Sequence, residues 1–255
     1  MEKKKNDFIA QGSILAIASI LVRVMGMIYR IPMTAIIGDK GNGFYSYAYS
    51  VYTILLLLSS YSLPLAVSKM VSAKAQLGQW RNVKRVFICA IAFAIGIGTT
   101  FGLIVLIGAQ FFTRVFFHSE LAAIALRFMA PTILIMALLG VFRGFFQGLQ
   151  NTLPTAVSQI VEGLINAIMS VVFAYFLFDF GHGMDAAGGT TDLGYAWGAA
   201  GGAIGTGAGA LAGLIFCFIL FVAYRKILAV NISRDKTGTQ QEYGDIFRLM
   251  LSIAL

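Results

Sequence analysis

The sequence predicts an all-α polytopic membrane protein with six complete spans and the opening of a seventh. Three observations predict it. Of its 255 residues, 58% are hydrophobic and 12% charged, with a mean hydropathy of +0.82, far outside soluble globular composition. Several apolar runs reach the roughly 20 residues needed to cross a hydrocarbon core, with polar loops between them. Most of the nineteen basic residues fall in alternate loops, the bias that marks cytoplasmic loops. Long runs favour helices over a barrel, whose strands would read as ten-residue alternations. The expected setting is the cell membrane, multi-pass, with the N-terminus cytoplasmic.

The first span, residues 11–37, carries Arg23 and Arg30, seven residues apart and therefore on nearly one helical face. A guanidinium at mid-bilayer costs at least ~2.5 kcal/mol on insertion scales, so that face must meet a bundle interior or a wet cavity. Ser19, Gly26 and Thr34 extend the small, polar stripe, and Pro32 is expected to kink the helix near Ile28. Residues 38–43, Gly-Asp-Lys-Gly-Asn-Gly, read as a turn. Although the first span follows a short basic segment, it is too long and too arginine-rich for a cleaved signal peptide.

Span two, residues 44–71, opens with Tyr45, Tyr47, Tyr49 and Tyr52, read as interfacial aromatics. Ser46, Ser50, Thr53, Ser60, Pro64 and Ser68 form a second polar stripe, with Pro64 expected to bend the helix. The linker 69–85 is basic, without an acid, and is assigned to the cytoplasmic side. Span three, 86–109, is uncharged and reads as packing. An outer loop with Arg114, His118 and Glu120 follows. Span four, 121–147, holds Pro131 and ends near Arg143, and span five runs from 154 or 155 to 178.

Within span five, Gln159, Glu162 and Asn166 share a face. Glu162 is the one carboxylate inside a complete span. It serves either a structural salt bridge or the handling of substrate or ions. The second is favoured because intramembrane ionisable groups are expensive and usually functional. Its charge state is open, since burial raises a carboxyl pKa and a nearby arginine lowers it.

The acidic loop 179–194 is assigned outside. Span six, 195–224, carries Gly201, Gly205, Gly209 and Gly213 at four-residue spacing, a ridge on which another helix can pack at backbone distance. The expected organisation is a six-span lobe over 1–224, a basic cytoplasmic linker over 225–245, and the start of a truncated seventh span over 246–255.

Composition excludes several functions. The charge of +8 is spread over loops rather than gathered as a nucleic-acid surface. Cys89 and Cys217 lie in apolar runs and neither histidine has a partner at metal-ligand spacing, so no metal or cofactor is expected. An intramembrane transferase would need clustered aspartates for Mg²⁺ or a nucleophile with its base. Neither is present, and no enzyme is expected.

Three segments carry a resemblance: Arg23-Val-Met-Gly26-Met-Ile-Tyr-Arg30-Ile-Pro32, Gly38-Asp-Lys-Gly41-Asn42-Gly43-Phe-Tyr45, and the stretch from Phe145 through Gln147, Gln150, Asn151, Pro154, Ser158 and Gln159 to Glu162. Together they resemble the stage V sporulation protein B branch of the polysaccharide and lipid-linked oligosaccharide flippases. That branch lies within the multidrug/oligosaccharidyl-lipid/polysaccharide exporter superfamily, which also holds the lipid II flippases of peptidoglycan synthesis.

The resemblance implies two six-helix lobes around a central cavity, with alternating access carrying a lipid-linked head group across while its tail stays in the bilayer. This chain would be the first lobe, with the second expected in cis. The lipid II flippases carry cavity arginines spaced Arg-x-x-Gly-x-x-Arg. Here the pattern is Arg23-x-x-Gly26-x-x-x-Arg30, so Arg23 matches directly and Arg30 is one residue out. The implied acidic residue after the loop glycines is not matched by Asp39, which precedes all but the first of them. An arginine that relatives carry near Asn166 is absent.

The expected partners are thus a lipid-linked anionic saccharide and membrane lipids. Arg23 and Arg30 would bind its diphosphate, Glu162, Gln159 and Asn166 would serve gating or ion coupling, and Pro32 and Pro64 would permit bending. The rivals are a cation-coupled drug exporter, disfavoured by the first-span arginines, and a lipid-binding scaffold that transports nothing.

Overall fold

The structure, a computed structural model, describes residues 2–188, 192–238 and 240–254. The middle of the expected outer loop, 189–191, and Leu255 lie outside the described residues, as do the side chains of 1–11 with the N-terminal lysines. The elements are helices: α1 (Glu2–Ser60), α2 (Leu63–Gln76), α3 (Trp80–Phe117), α4 (Ala122–Gly148), α5 (Leu153–Gly188), α6 (Leu193–Ser233) and α7 (Tyr243–Ala254). Among the described residues, five stretches are long and apolar enough to cross a membrane. The first, Gly12–Gln76, spans 65 residues and is folded at Gly38. Its two arms, 2–37 and 39–60, lie side by side: Tyr29 and Arg30 of the first line one cavity with Tyr45 and Tyr49 of the second. Among the described residues six long rods result, as the apolar runs predict.

Three details differ from expectation. The 38–43 turn contracts to Gly38, whose φ of 63° and ψ of 179° reverse the chain in one residue, and Asp39 to Gly43 are helical. Glycine reaches that φ without a Cβ clash, so one residue suffices. Pro32 lies inside the first arm, and the departure from helical backbone falls at Gly38 rather than near Ile28. Pro64 does not bend a continuous helix: the chain breaks at Tyr61 and Ser62, and Pro64 sits in the first turn of α2, where its missing N–H removes no helical bond. Helices also outrun the predicted spans, α5 reaching Gly188 and α6 reaching Ser233.

Two glycine ridges set the packing. A Cβ on Gly201 would collide with the backbone of Phe173 and Ala174, one on Gly205 with Ser170, and one on Gly209 would lie 2.6 Å from the Glu162 carbonyl. The α6 ridge is thus pressed onto α5 at backbone distance, as its spacing predicts. A second ridge, Gly140, Gly144 and Gly148 on α4, lies against Pro64, Val67, Ser68 and Val71 of α2. Its four-residue spacing is equally visible in the sequence, and it escaped that reading. Two apolar clusters flank these contacts. One centres on Phe87, Phe142 and Phe145, the other on Met33, Ile37, Tyr45, Met129 and Ile133.

At the Gly38 end, the Asp185 carboxylate accepts from the backbone N–H groups of Leu193 and Gly194 at 3.0 and 2.9 Å, satisfying amides that the start of α6 leaves open. Lys40 pairs with Asp192 at 2.6 Å. Both groups are substantially exposed, so the pair stabilises by about 1 kcal/mol at most.

At the opposite end, the linker after α6 is docked rather than free. The Arg81 backbone N–H donates to Asp235 Oδ2 at 3.0 Å, and the Gln241 N–H donates to Asn82 Oδ1 at 3.1 Å. Arg85 donates to the Gln241 carbonyl and to Gln240, with its guanidinium over the Tyr243 ring. Beyond it, Ile246 and Met250 of α7 are fully buried in the cluster formed with α2 and α3.

The Arg81 amide, followed by the hydroxyl and amide of Thr237, holds the Asp235 carboxyl below its ordinary value of 3.8. A depressed folded-state pKa contributes stability above the unfolded value, and that stability is lost as pH falls through the folded value. The protection factor of the Thr237 amide, its exchange rate relative to the unstructured amide at the same pH, is therefore expected to be high at neutral pH and to fall once pH drops below the ordinary carboxyl value of 3.8. In Asp235→Ala, which removes the acceptor, protection should be low at every pH. Equal protection in the variant would contradict the assignment.

Candidate functional site

Between the two arms of α1 and helices α4, α5 and α6 lies a cavity of about 380 Å³. The first arm contributes Val22, Gly26, Tyr29 and Arg30. The second contributes Tyr45, Tyr49, Tyr52, Thr53 and Leu56, and Met136, Glu162, Asn166 and Thr206 close it. Helical spacing explains the tyrosine wall, since 45, 49 and 52 fall on one face. Their rings step along it with centroid separations of 5.8 and 5.9 Å. Three of the four tyrosines read as interfacial are thus cavity lining. Tyr47, off that face, stacks on Phe117 instead.

Polar contacts fix the far wall. Tyr45 Oη and Thr206 Oγ1 are 3.2 Å apart, and Ser170 donates to Asn166 Oδ1 at 2.8 Å. Glu162 has a partner that the sequence reading missed: Arg143 Nη2 donates to Glu162 Oε2 at 2.7 Å, and Arg143 Nε donates to Ser158 Oγ at 2.9 Å. Glu162, which the sequence reading left without a local partner on α5, is paired from α4. The available signal was the pair of facing segments, Arg143 at one side of the α4–α5 turn and Glu162 at the other. Their register requires the tertiary packing.

Arg143 also lines a second cavity of about 270 Å³, with Tyr61, Pro64, Gly140, Gln147, Thr155 and Gln159. Leu56 and Met136 border both cavities. Gln159, expected beside Glu162, faces this second space, and its Oε1 lies 3.5 Å from the Ser19 hydroxyl. Gln159 and Glu162 are therefore divided between neighbouring chambers.

The two first-arm arginines separate as well. Both are exposed and on one face, as their spacing requires, and neither has an ion pair or hydrogen bond among the described residues. Arg30 borders the main cavity and Arg23 borders none of the cavities described here. Because Glu162 is paired with Arg143, the cavity's unmatched charge is the Arg30 guanidinium. Low dielectric strengthens its pull on an anion, and its planar fork suits phosphate oxygens. Among the described residues, no group of three or more His, Cys, Asp or Glu could hold a metal ion.

Comparison with known proteins bears on the family and the fold. The chain is 26% identical over 255 residues to stage V sporulation protein B of Bacillus subtilis (strain 168), covering 98% of this chain and 45% of that protein. It is 27% identical over 163 residues to the lipid II flippase MurJ of the same organism, covering 61% of this chain and 30% of the other. Among solved structures, a MATE in complex with MaD3S superposes with a TM-score of 0.70 at 15% identity, over 98% of this chain and 53% of that one. A MOP superfamily transporter from Pyrococcus furiosus superposes with a TM-score of 0.65 at 16% identity, over 95% and 51%. The chain spans less than half the length of these curated relatives and about half that of the solved transporters. These matches bear out the resemblance read from the three sequence segments and the multi-pass helical fold. With residues 8–240 matched by its family description, the chain belongs to the polysaccharide biosynthesis protein family.

Proposed function

We propose that this chain forms one lobe of a flippase that carries a lipid-diphosphate-linked oligosaccharide or peptidoglycan precursor across the cytoplasmic membrane. The single observation that carries the reading is an unpaired guanidinium, Arg30, at a tyrosine-walled cavity whose one carboxylate is already neutralised. A diphosphate supplies the missing counter-charge, and tyrosine faces and hydroxyls suit sugar rings beside it. Arg23, exposed on the same face of the first arm, extends the cationic track toward a second lobe expected in cis. The coverage of roughly half of the related transporters supports that arrangement.

Glu162 and Asn166 in the main cavity, with Gln159 in its neighbour, carry gating or ion coupling. Pro32 gives the first arm a weak point, and the breaks at Gly38 and Tyr61 are the places where rods can swing during alternating access. The basic linkers support a cytoplasmic N-terminus and a cytoplasmic docked linker.

The test is transport of a fluorescent polyprenyl-diphosphate disaccharide in cells carrying the protein. Arg30→Glu is expected to reduce flipping at least about 100-fold, as a cavity charge that attracts phosphate is replaced by one that repels it. Arg30→Lys should retain part of the activity, because a point charge replaces a fork. Wild-type flipping in Arg30→Glu would refute the reading.

A further inference from the structure

We infer that the second cavity is an anion site in its own right, with Arg143 as its cation and Glu162 as a built-in competitor for that cation. A guanidinium offers five N–H donors. Arg143 spends Nε on Ser158 and one Nη2 proton on Glu162, and its remaining donors have no partner among the described residues. The side chain is nevertheless only 11% exposed, and it borders the 270 Å³ cavity. Its remaining donors open onto this cavity, so the space favours a ligand that accepts several hydrogen bonds.

The surroundings are built for one. Ser158, fully buried, donates to the Thr155 carbonyl and accepts from Arg143 Nε, which locks the plane of the guanidinium. Gln147 donates to Thr155 Oγ1 at 3.3 Å, and the Gln159 amide faces the same space. Phosphate, or a diphosphate with hydroxyls attached, matches that donor set.

The order of residues gives the site its place in transport. From the linker end inward, α4 presents Gln147, Arg143, Gly140 and Met136, while α5 presents Thr155, Gln159, Glu162 and Asn166. The two cavities therefore follow one another along the bundle, with the Arg143–Glu162 pair and the side chains of Leu56 and Met136 between them. An anion entering from the linker end meets Arg143 first. By displacing Glu162 from Arg143 it opens the partition toward Arg30. This step rests on the flippase reading for the carrier of the anion, while the site itself stands on the cavity.

Thiol protection tests it on the full chain in nanodiscs, with the two buried native cysteines replaced by alanine. Tyr61→Cys reports on the second cavity and Thr53→Cys on the main one, each labelled with a membrane-impermeant methanethiosulfonate. Inorganic pyrophosphate is expected to slow labelling of Tyr61→Cys at least fivefold. Glu162→Gln should lower the half-protecting concentration at least fivefold by removing the competitor. The neutral pair Arg143→Gln with Glu162→Gln, which leaves no stranded charge, should abolish protection there.

If a polyprenyl diphosphate protects at lower concentration than pyrophosphate, the ligand is a lipid head group, and equal potency marks a soluble anion. Protection at Thr53→Cys without any at Tyr61→Cys overturns the second site and leaves the Arg30 reading standing. The reverse pattern upholds the second site against that reading. Protection that survives in the neutral pair, or none at Tyr61→Cys in Glu162→Gln, also overturns it.

Discussion

Gly205→Leu is expected to yield no folded protein, and Gly205→Ala to lose stability at or above the upper end of the roughly 1–3 kcal/mol typical of overpacking. The reason is what a side chain would meet. At Gly205 the obstacle includes the backbone of Ser170, and at Gly201 that of Phe173 and Ala174, so no flexible group can give way. Relief requires α6 to withdraw from α5 along the whole ridge. Asn166 lies at the same seam, 2.7 Å from a Cβ on Gly209, so its position in the main cavity would shift as well. Gly96→Ala supplies the contrast: a Cβ there meets nothing within 4 Å, and alanine gains up to about 1 kcal/mol of helix propensity. Unfolding by steric trapping should rank Gly96→Ala at or above wild type and Gly205→Ala far below it. Similar stabilities for the two would show that the ridge does not govern packing.

Arg143→Ala should be the most damaging charge removal in the bundle. It strands the Glu162 carboxylate and leaves Ser158 without its donor. Breaking a buried pair from one side costs about 3–5 kcal/mol, and a 25% exposed Glu162 side chain argues for the lower end. Replacing both partners with glutamine should recover most of the loss, because no uncompensated charge remains. A double-mutant cycle on unfolding free energy gives the coupling directly. Additive losses would mean that the 2.7 Å contact carries no energy. The two arginines near the cavities thus differ in kind: Arg143 is anchored by Ser158 and Glu162 and offers a ligand only its remaining donors, whereas Arg30 has no internal counter-ion.

Much of this was legible in the residues. Long apolar runs with alternating basic loops specify the six rods, and Gly201 to Gly213 announce the α5–α6 contact. The seven-residue interval places Arg23 and Arg30 on one face, and Gln159, Glu162 and Asn166 share theirs. What was not legible depends on the path of the backbone. Gly38 looks like the first of several turn residues, yet it reverses the chain alone, and Pro64 looks like a bend when it starts a helix. Periodicity puts Tyr45, Tyr49 and Tyr52 together but does not say whether they meet lipid or a cavity. The Arg143–Glu162 pair depends on the rotational setting of α4 against α5. No spacing rule within one helix supplies that angle. For the same reason Arg23, the better motif match, is not among the residues lining the main cavity, whereas Arg30 is.

The most direct measurement of the central claim is lipid binding by the intact chain in nanodiscs, read by native mass spectrometry. A polyprenyl diphosphate is compared with the uncharged polyprenol of equal length. A charge-assisted fork on phosphate is worth about 1.5–3 kcal/mol, so the diphosphate should bind roughly ten- to a hundredfold more tightly. Arg30→Gln should reduce that preference several-fold, to what the Arg143 cavity alone supports, while the protein remains folded. Equal binding of both lipids by the wild type, or an undiminished preference in Arg30→Gln, would contradict the account.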